Sequence, residues 1–280
     1  MKKNILVRKV NGEIEIFKVE KLRNSLTRSG ATEEEAEKII NSVSLILHDG
    51  ISSKTIYKKA HSLLKDYNRS SASKYSLKRA IFELGPTGYP FEILISALLK
   101  HKGYETRASQ KLKGKCITHE VDVLAEKNNN LYAVECKFRN DPKAVINIQT
   151  PLYVNSRFID IKESWNNNPE NKTEFKQGWL VTNTRFSADS INYSECIGLK
   201  LLGWDFPLNN GIKQNVDHYA LYPITTLSSL TKQEKNLLIE KEIILTKELY
   251  ENLEILNILN LKPSKKEKIY EEIKELCNLD

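Results

Sequence analysis

Three charged side chains in the middle of the chain have the types and spacing that phosphodiester hydrolysis requires. Between Leu131 and Phe138 the strand period of two puts Glu135 and Lys137 on one face with Leu131 and Ala133, and Tyr132, Val134, Cys136 and Phe138 on the other. The preceding strand carries Asp122 between Val121 and Val123, and a tight turn through Asn128, Asn129 and Asn130 brings Asp122 alongside Glu135. Two carboxylates and an ammonium then converge. Carboxylate oxygens hold a hard cation such as Mg²⁺ or Mn²⁺, and a neighbouring lysine orients the attacking water or neutralises charge on the phosphate. Spacing alone does not separate this reading from a solvated sheet face, which also displays pairs of charges.

The elements that would position these groups follow from local signals. A helix from Phe91 to Gly103 has one apolar stripe of Phe91, Leu94, Ile95, Leu98 and Leu99. Strands are expected at Tyr104–Ala108, His119–Ala125 and Leu131–Phe138, then a helix at Pro142–Phe158, a polar loop at Asn166–Asn171, a strand at Gly178–Thr182, a helix at Ala188–Cys196 and a strand at Leu199–Trp204. This alternation predicts an α/β core.

From Phe91 to Pro207 the sequence resembles the Mrr-like restriction endonuclease group of the PD-(D/E)xK superfamily. The resemblance runs through Phe91-Glu92, Gly103-Tyr104, Glu120-Val121-Asp122, Glu135-Cys136-Lys137, and Gln149 with Tyr153, which reproduces the Gln-x-x-x-Tyr element of several such nucleases. It implies a mixed sheet flanked by helices, Asp122 and Glu135 as metal ligands, and Lys137 as the catalytic lysine. Gln149 would support the site from the following helix. Glu92 is either a third carboxylate of the site or an exposed first-turn acid favoured by the helix dipole. The usual Asp-Gly-Gly-x-Asp run is here His119-Glu120-Val121-Asp122.

Ahead of this region, Ile5–Phe17 reads as a hairpin turning at Asn11-Gly12. Helices are expected at Val19–Ser29, Thr32–His48, Ser53–Tyr67 and Ser71–Leu84, with a capping box at Thr32 and Glu35 and closing glycines at Gly30, Gly50 and Gly85. Val7-Arg8-Lys9-Val10-Asn11-Gly12, Glu15, Glu20-Lys21-Leu22, Asp49-Gly50-Ile51, Tyr75 and Arg79 make residues 1–86 similar to the ATP-cone, a regulatory nucleotide-binding module. The resemblance implies ATP or dATP held by Lys9 and Lys21 at the phosphates, Val7 beside the base, and Glu15 on a polar edge, with Ser53 and Tyr57 lining the pocket. Val10 stands where that motif carries Arg, and Arg8 on the same face is the candidate substitute.

The organisation expected is therefore residues 1–86 as a nucleotide-binding domain, 87–207 as an endonuclease domain and 208–280 as a helical region. Within the last, Ile224–Leu230 and the helices after it resemble a helix-hairpin-helix DNA-binding unit lacking its glycine hairpin; a helical packing or dimerisation unit is the alternative. The excess of 43 Lys and Arg over 36 Asp and Glu suits a polyanionic partner such as DNA. Four scattered cysteines form no Cys-x-x-Cys pair, which argues against a zinc ribbon and for a reducing compartment. No apolar run reaches a membrane span, so a cytoplasmic protein is expected. A metal-dependent DNA endonuclease under adenine-nucleotide control accounts for these features. Its rival is a nucleotide-responsive DNA-binding regulator whose nuclease fold only binds. A structure-specific nuclease is a further reading within the enzyme class. Double-strand cleavage needs two centres acting together, so a homo-oligomer is expected.

Overall fold

The computed structural model describes residues 5–9 and 12–279. It is a mixed α/β structure with a small N-terminal hairpin, as the sequence predicts. In chain order the elements are β1 (Leu6–Arg8), β2 (Ile14–Ile16), α1 (Val19–Thr27), α2 (Glu33–Ser44), β3 (Ile51–Ser52), α3 (Ser53–Tyr67), α4 (Arg69–Phe82), α5 (Tyr89–His101), β4 (Glu105–Lys113), β5 (Thr118–Lys127), β6 (Asn130–Lys137) and β7 (Val145–Ile146). They continue with α6 (Gln149–Asn166), β8 (Glu174–Phe175), β9 (Trp179–Thr182), β10 (Arg185–Phe186), α7 (Ala188–Ile197), β11 (Lys200–Leu202), α8 (Ile212–Tyr219), α9 (Lys232–Glu240), α10 (Thr246–Glu251) and α11 (Pro263–Cys277). Among the described residues no helix is long and apolar enough to cross a membrane.

These elements form two compact units. One comprises residues 1–79, 226–231 and 252–280, and the other residues 80–225 and 232–251. In the first, the capping box at Thr32 is present: its Oγ1 accepts from the Glu35 N–H at 3.2 Å and its own N–H donates to Glu35 at 2.9 Å. The core gathers Val7, Leu22, Leu26, Ile39, Val43, Ile51, Ala60 and Leu64, and Ile269, Ile273 and Leu276 of α11 are also fully buried. The expected helix Thr32–His48 stops at Ser44. Gly50, expected to close it, has φ +82° and serves a strand instead: its N–H donates to the Leu6 carbonyl at 2.9 Å, while Asp49 accepts the Leu6 N–H at 3.0 Å and β3 pairs in parallel with β1. Asn11 of the expected hairpin turn lies outside the described residues, as does Val10.

The second unit is built on a sheet of order β11-β9-β6-β5-β4, with β8 paired to β6. β4, β5 and β6 are an antiparallel meander, whereas β9 and β11 join in parallel. Direct partners in a ladder share a face and neighbours in sequence oppose. Thr106, paired with Ala125, hydrogen-bonds Ser96 of α5 at 2.8 Å, whereas Leu124 joins the core with Val154 and Phe158 of α6. α5 and α6 thus cover opposite faces. Phe158 and Phe175 are 2% and 0% exposed and meet edge to face, each burial stabilising the core by about 2–3 kcal/mol.

The helix expected at Pro142–Phe158 is displaced. Residues 141–148 form a turn and β7, which pairs with β10, and α6 begins at Gln149 and runs through the expected stop to Asn166. A pairing between Val145 and Arg185 is non-local and leaves no trace in the local pattern.

Candidate active site

Asp122 stands where the sheet's regularity breaks. The β4–β5 ladder pairs Ala108 with Val123 and Gln110 with Val121 but skips Ser109 opposite Asp122, and Ser109 has a left-handed φ of +48°. Such a backbone is rare for a residue with a side chain and marks a held conformation. Val121 and Leu124, three residues apart, nonetheless enter the same core, so the inward face changes over between them. The β5–β6 ladder runs out at Val123 and Val134, and the Asp122 carboxylate accepts the Cys136 N–H at 2.7 Å.

Glu135 is 3% exposed. Its Oε1 accepts from Lys137 Nζ and its Oε2 from Arg157 Nη1, both at 2.5 Å. The period-two faces hold: Ala133 and Leu131 enter the core under α6, while Phe138 turns to Phe91 of α5 at 5.6 Å between ring centroids. That contact sets the first turn of α5, with half-buried Glu92, near the end of β6.

Glu92 is half-buried and feels the charge of the other two acids. Burial, then the charges of Asp122, Glu135 and Glu120, push its carboxyl up to about 7, with Lys137 opposing. Burial and Glu135 push Asp122 up to about 6, against the Cys136 N–H, Lys137 and Arg157. The Cys136 thiol, buried on the other face, is driven well above its ordinary range by that burial.

Arg157 is the residue that motif reasoning missed. Besides Glu135 its guanidinium donates to the Glu120 backbone carbonyl and lies over the Tyr153 ring at 5.5 Å. Gln149, Tyr153 and Arg157 recur every four residues along α6, so extending the Gln-x-x-x-Tyr spacing by one turn would have found it. Gln149 itself is exposed at the first position of α6. One turn beyond Arg157, Asp160 accepts from His119 Nε2 at 2.7 Å and from the Cys116 N–H at 2.9 Å, tying the β4–β5 connection to α6.

Three carboxylates are a hard donor set that fits Mg²⁺ or Mn²⁺ and lacks the sulfur and imidazole ligands of zinc sites. Among the described residues no group of three acidic, histidine or cysteine side chains stands in an arrangement that could hold a metal ion, and the Glu135 oxygens are taken by Lys137 and Arg157. A carboxylate offers about four acceptor positions, so each oxygen retains capacity for a cation.

In the first unit Lys9 and Lys21 converge on Glu15 at 2.8 and 3.2 Å, and the hydrogen bond from Lys9 is the leading cause that lowers the Glu15 carboxyl. Val7, paired with Glu15 across the hairpin, is only 5% exposed and packs into the core. Tyr57 stacks between His61 at 5.8 Å and Tyr75 at 5.2 Å; burial first, then Tyr57, raises the Tyr75 phenol to about 12. Ser53 opens α3, capped by Ser52.

The second unit is thus a mixed-sheet α/β protein with an acid, lysine and arginine centre at the edge where its ladder opens. An uncharacterized protein of Archaeoglobus fulgidus is 36% identical over 133 residues, which are 48% of this chain and 71% of that protein. The chain belongs to the family of that Archaeoglobus protein. The family described as AF1548-like, C-terminal, matches residues 222–277. The crystal structure of AF1548, a protein of unknown function, superposes with a TM-score of 0.56 at 29% identity, covering 69% of this chain and 99% of that one. The MspJI restriction endonuclease in complex with a 27-mer oligonucleotide reaches a TM-score of 0.35 at 11% identity, over 61% of this chain and 36% of that one, a likeness too low to bear on fold or function.

Proposed function

We propose that the second unit is a metal-dependent endonuclease hydrolysing DNA phosphodiester bonds. The observation that carries this reading is the charge coupling of Glu92 and Asp122 to Glu135, with the two former carboxyls pushed up to about 7 and 6, and the Lys137 ammonium held on Glu135. Burial first, and then the charge of neighbouring acids, disfavours the ionised form of Glu92 and Asp122, and a bound cation would offset both costs. Asp122 and Glu135, with Glu92 as the third donor, would hold Mg²⁺ or Mn²⁺, which supplies Lewis-acid polarisation of the phosphate and acidifies water. Lys137 Nζ neutralises charge developing on the phosphate or orients the attacking water. Gln149, at the start of the helix that carries Arg157, is assigned a supporting role.

The first unit is proposed to bind ATP or dATP through Lys9 and Lys21, with Glu15 between them, and to set the oligomeric state in which the nuclease acts. Nucleotide would compete with Glu15 for the two ammonium groups, which gives the bound and free forms different charge pairing.

The test is incubation of the protein with methylated and unmethylated plasmid DNA in Mg²⁺ or Mn²⁺, with and without ATP and dATP, beside Asp122→Ala and Lys137→Ala. Cutting that needs metal and is lost in both variants is expected. DNA bound equally by all three proteins and cut by none would replace the nuclease with a DNA-binding regulator.

A further inference from the structure

Resting on the nuclease reading above, we infer that Arg157 is the fixed positioning residue of the centre and that Lys137 is the cation that leaves Glu135 when a divalent ion is taken up. The two cations hold the same carboxylate at the same distance, 2.5 Å on each oxygen. They differ in everything else that holds them. Arg157 is anchored twice more, by its hydrogen bond to the Glu120 carbonyl and by the Tyr153 ring under its guanidinium, and its side chain is 13% exposed. The helix that carries it is fixed one turn later to the same stretch of chain, where Asp160 accepts from Cys116, Ile117 and His119. Lys137 has a side chain 30% exposed, and among the described residues Glu135 is the one hydrogen-bond partner of its ammonium.

The chemistry of the two groups points the same way. A planar guanidinium set in a fork gives up two charged or backbone hydrogen bonds and its ring contact if it moves, without water to replace them. An ammonium on a flexible four-carbon stem gives up one hydrogen bond and regains it from solvent. Release of Lys137 opens Oε1 of Glu135 on the strand face it shares with that lysine and leaves the ammonium free for the phosphate. Arg157 keeps Oε2 and so the orientation of the carboxylate. The division of labour is that Arg157 acts through Glu135, whereas Lys137 meets the substrate.

The test is Mn²⁺ binding to the full chain by titration calorimetry and by loss of the free-ion electron paramagnetic resonance signal, without DNA. Arg157→Lys keeps the charge and removes the fork, so a loss is geometric; about tenfold weaker Mn²⁺ binding is expected, the cost of losing a partner that orients a ligand. Lys137→Met removes the competing cation and is expected to bind Mn²⁺ at least as tightly as wild type while losing cleavage. Arg157→Lys binding as wild type does, or Lys137→Met binding more weakly with its melting temperature unchanged, overturns the inference and leaves the nuclease reading standing. A folded wild type that binds no Mn²⁺ overturns both.

Discussion

Replacing Glu92 by glutamine should stabilise the metal-free protein at pH 8 and leave it nearly unchanged at pH 4.5. The Glu92 carboxyl titrates in the folded protein at about 7 instead of 4.5. Between those values the folded form still holds a proton that the unfolded chain has released, so the folded state binds more protons and stability falls as pH rises. With no solvent screening the loss across that window is about 3 kcal/mol. Because Glu92 is only half-buried, screening reduces it to about 1–2 kcal/mol. Glutamine keeps the shape and removes the charge, so Glu92→Gln should recover that amount above pH 7, a rise in melting temperature of about 3–6 °C. All three tryptophans, Trp165, Trp179 and Trp204, lie in the second unit, so fluorescence-monitored melting in EDTA reports on the unit that holds the site. An equal shift at both pH values, or destabilisation at pH 8, would refute the buried, acid-flanked setting assigned to Glu92.

Gly178→Ala should lower the urea midpoint of the same fluorescence transition by the equivalent of about 1–3 kcal/mol, because a Cβ there would stand 2.0 Å from the Phe158 ring and 2.5 Å from the Ala133 carbonyl oxygen. Asp160 raises the Cys116 thiol, first by hydrogen bond and then by charge; Asp160→Asn should therefore speed thiol labelling of exposed Cys116 at pH 8 several-fold relative to exposed Cys196, read by mass spectrometry of labelled peptides, and an unchanged ratio would contradict the assignment. Lys21→Ala should weaken ATP or dATP binding by about tenfold, the worth of a charged contact of ~1.5 kcal/mol; calorimetry showing equal affinity in variant and wild type removes Lys21 from the proposed nucleotide site.

The legible parts of the structure are those that local pattern dictates. The alternating faces of Leu131–Phe138 are present because one face packs under α6 and the other toward α5, and α3 has the expected bounds of Ser53 and Tyr67. The capping box at Thr32 is present because its partners are three residues apart. Where the reading fails, a distant partner decides. Gly50 resembles a helix stop, yet its N–H is claimed by Leu6, 44 residues earlier. Pro142 resembles a helix start, yet its segment runs into β7 because Val145 finds Arg185. The site divides in the same way: Glu135 and Lys137 were readable from a strand's period, whereas the clamp of Arg157 on Glu135 spans 22 residues and two elements. The change of face at Asp122 depends on Ser109, whose left-handed backbone no glycine or asparagine announces.

The first unit takes its closing pieces from the far end of the chain. Glu272 of α11, 4% exposed, accepts the N–H groups of Ser228 and Ser229 at 2.6 and 2.9 Å, and Ser70 donates to the Glu275 carbonyl at 3.3 Å. The stretch matched as a C-terminal family module is accordingly divided, its residues 222–225 and 232–251 belonging with the sheet and its residues 226–231 and 252–277 with the hairpin. On a ribosome this orders events in time. The hairpin and its helices emerge first but wait to complete their unit until α11, to which Ser70 of that unit donates, has been made. The second unit can collapse in that interval, since all but one short block of its chain is already out. A ribosome stalled before residue 263 should therefore display a protease-resistant sheet attached to an unfinished first unit.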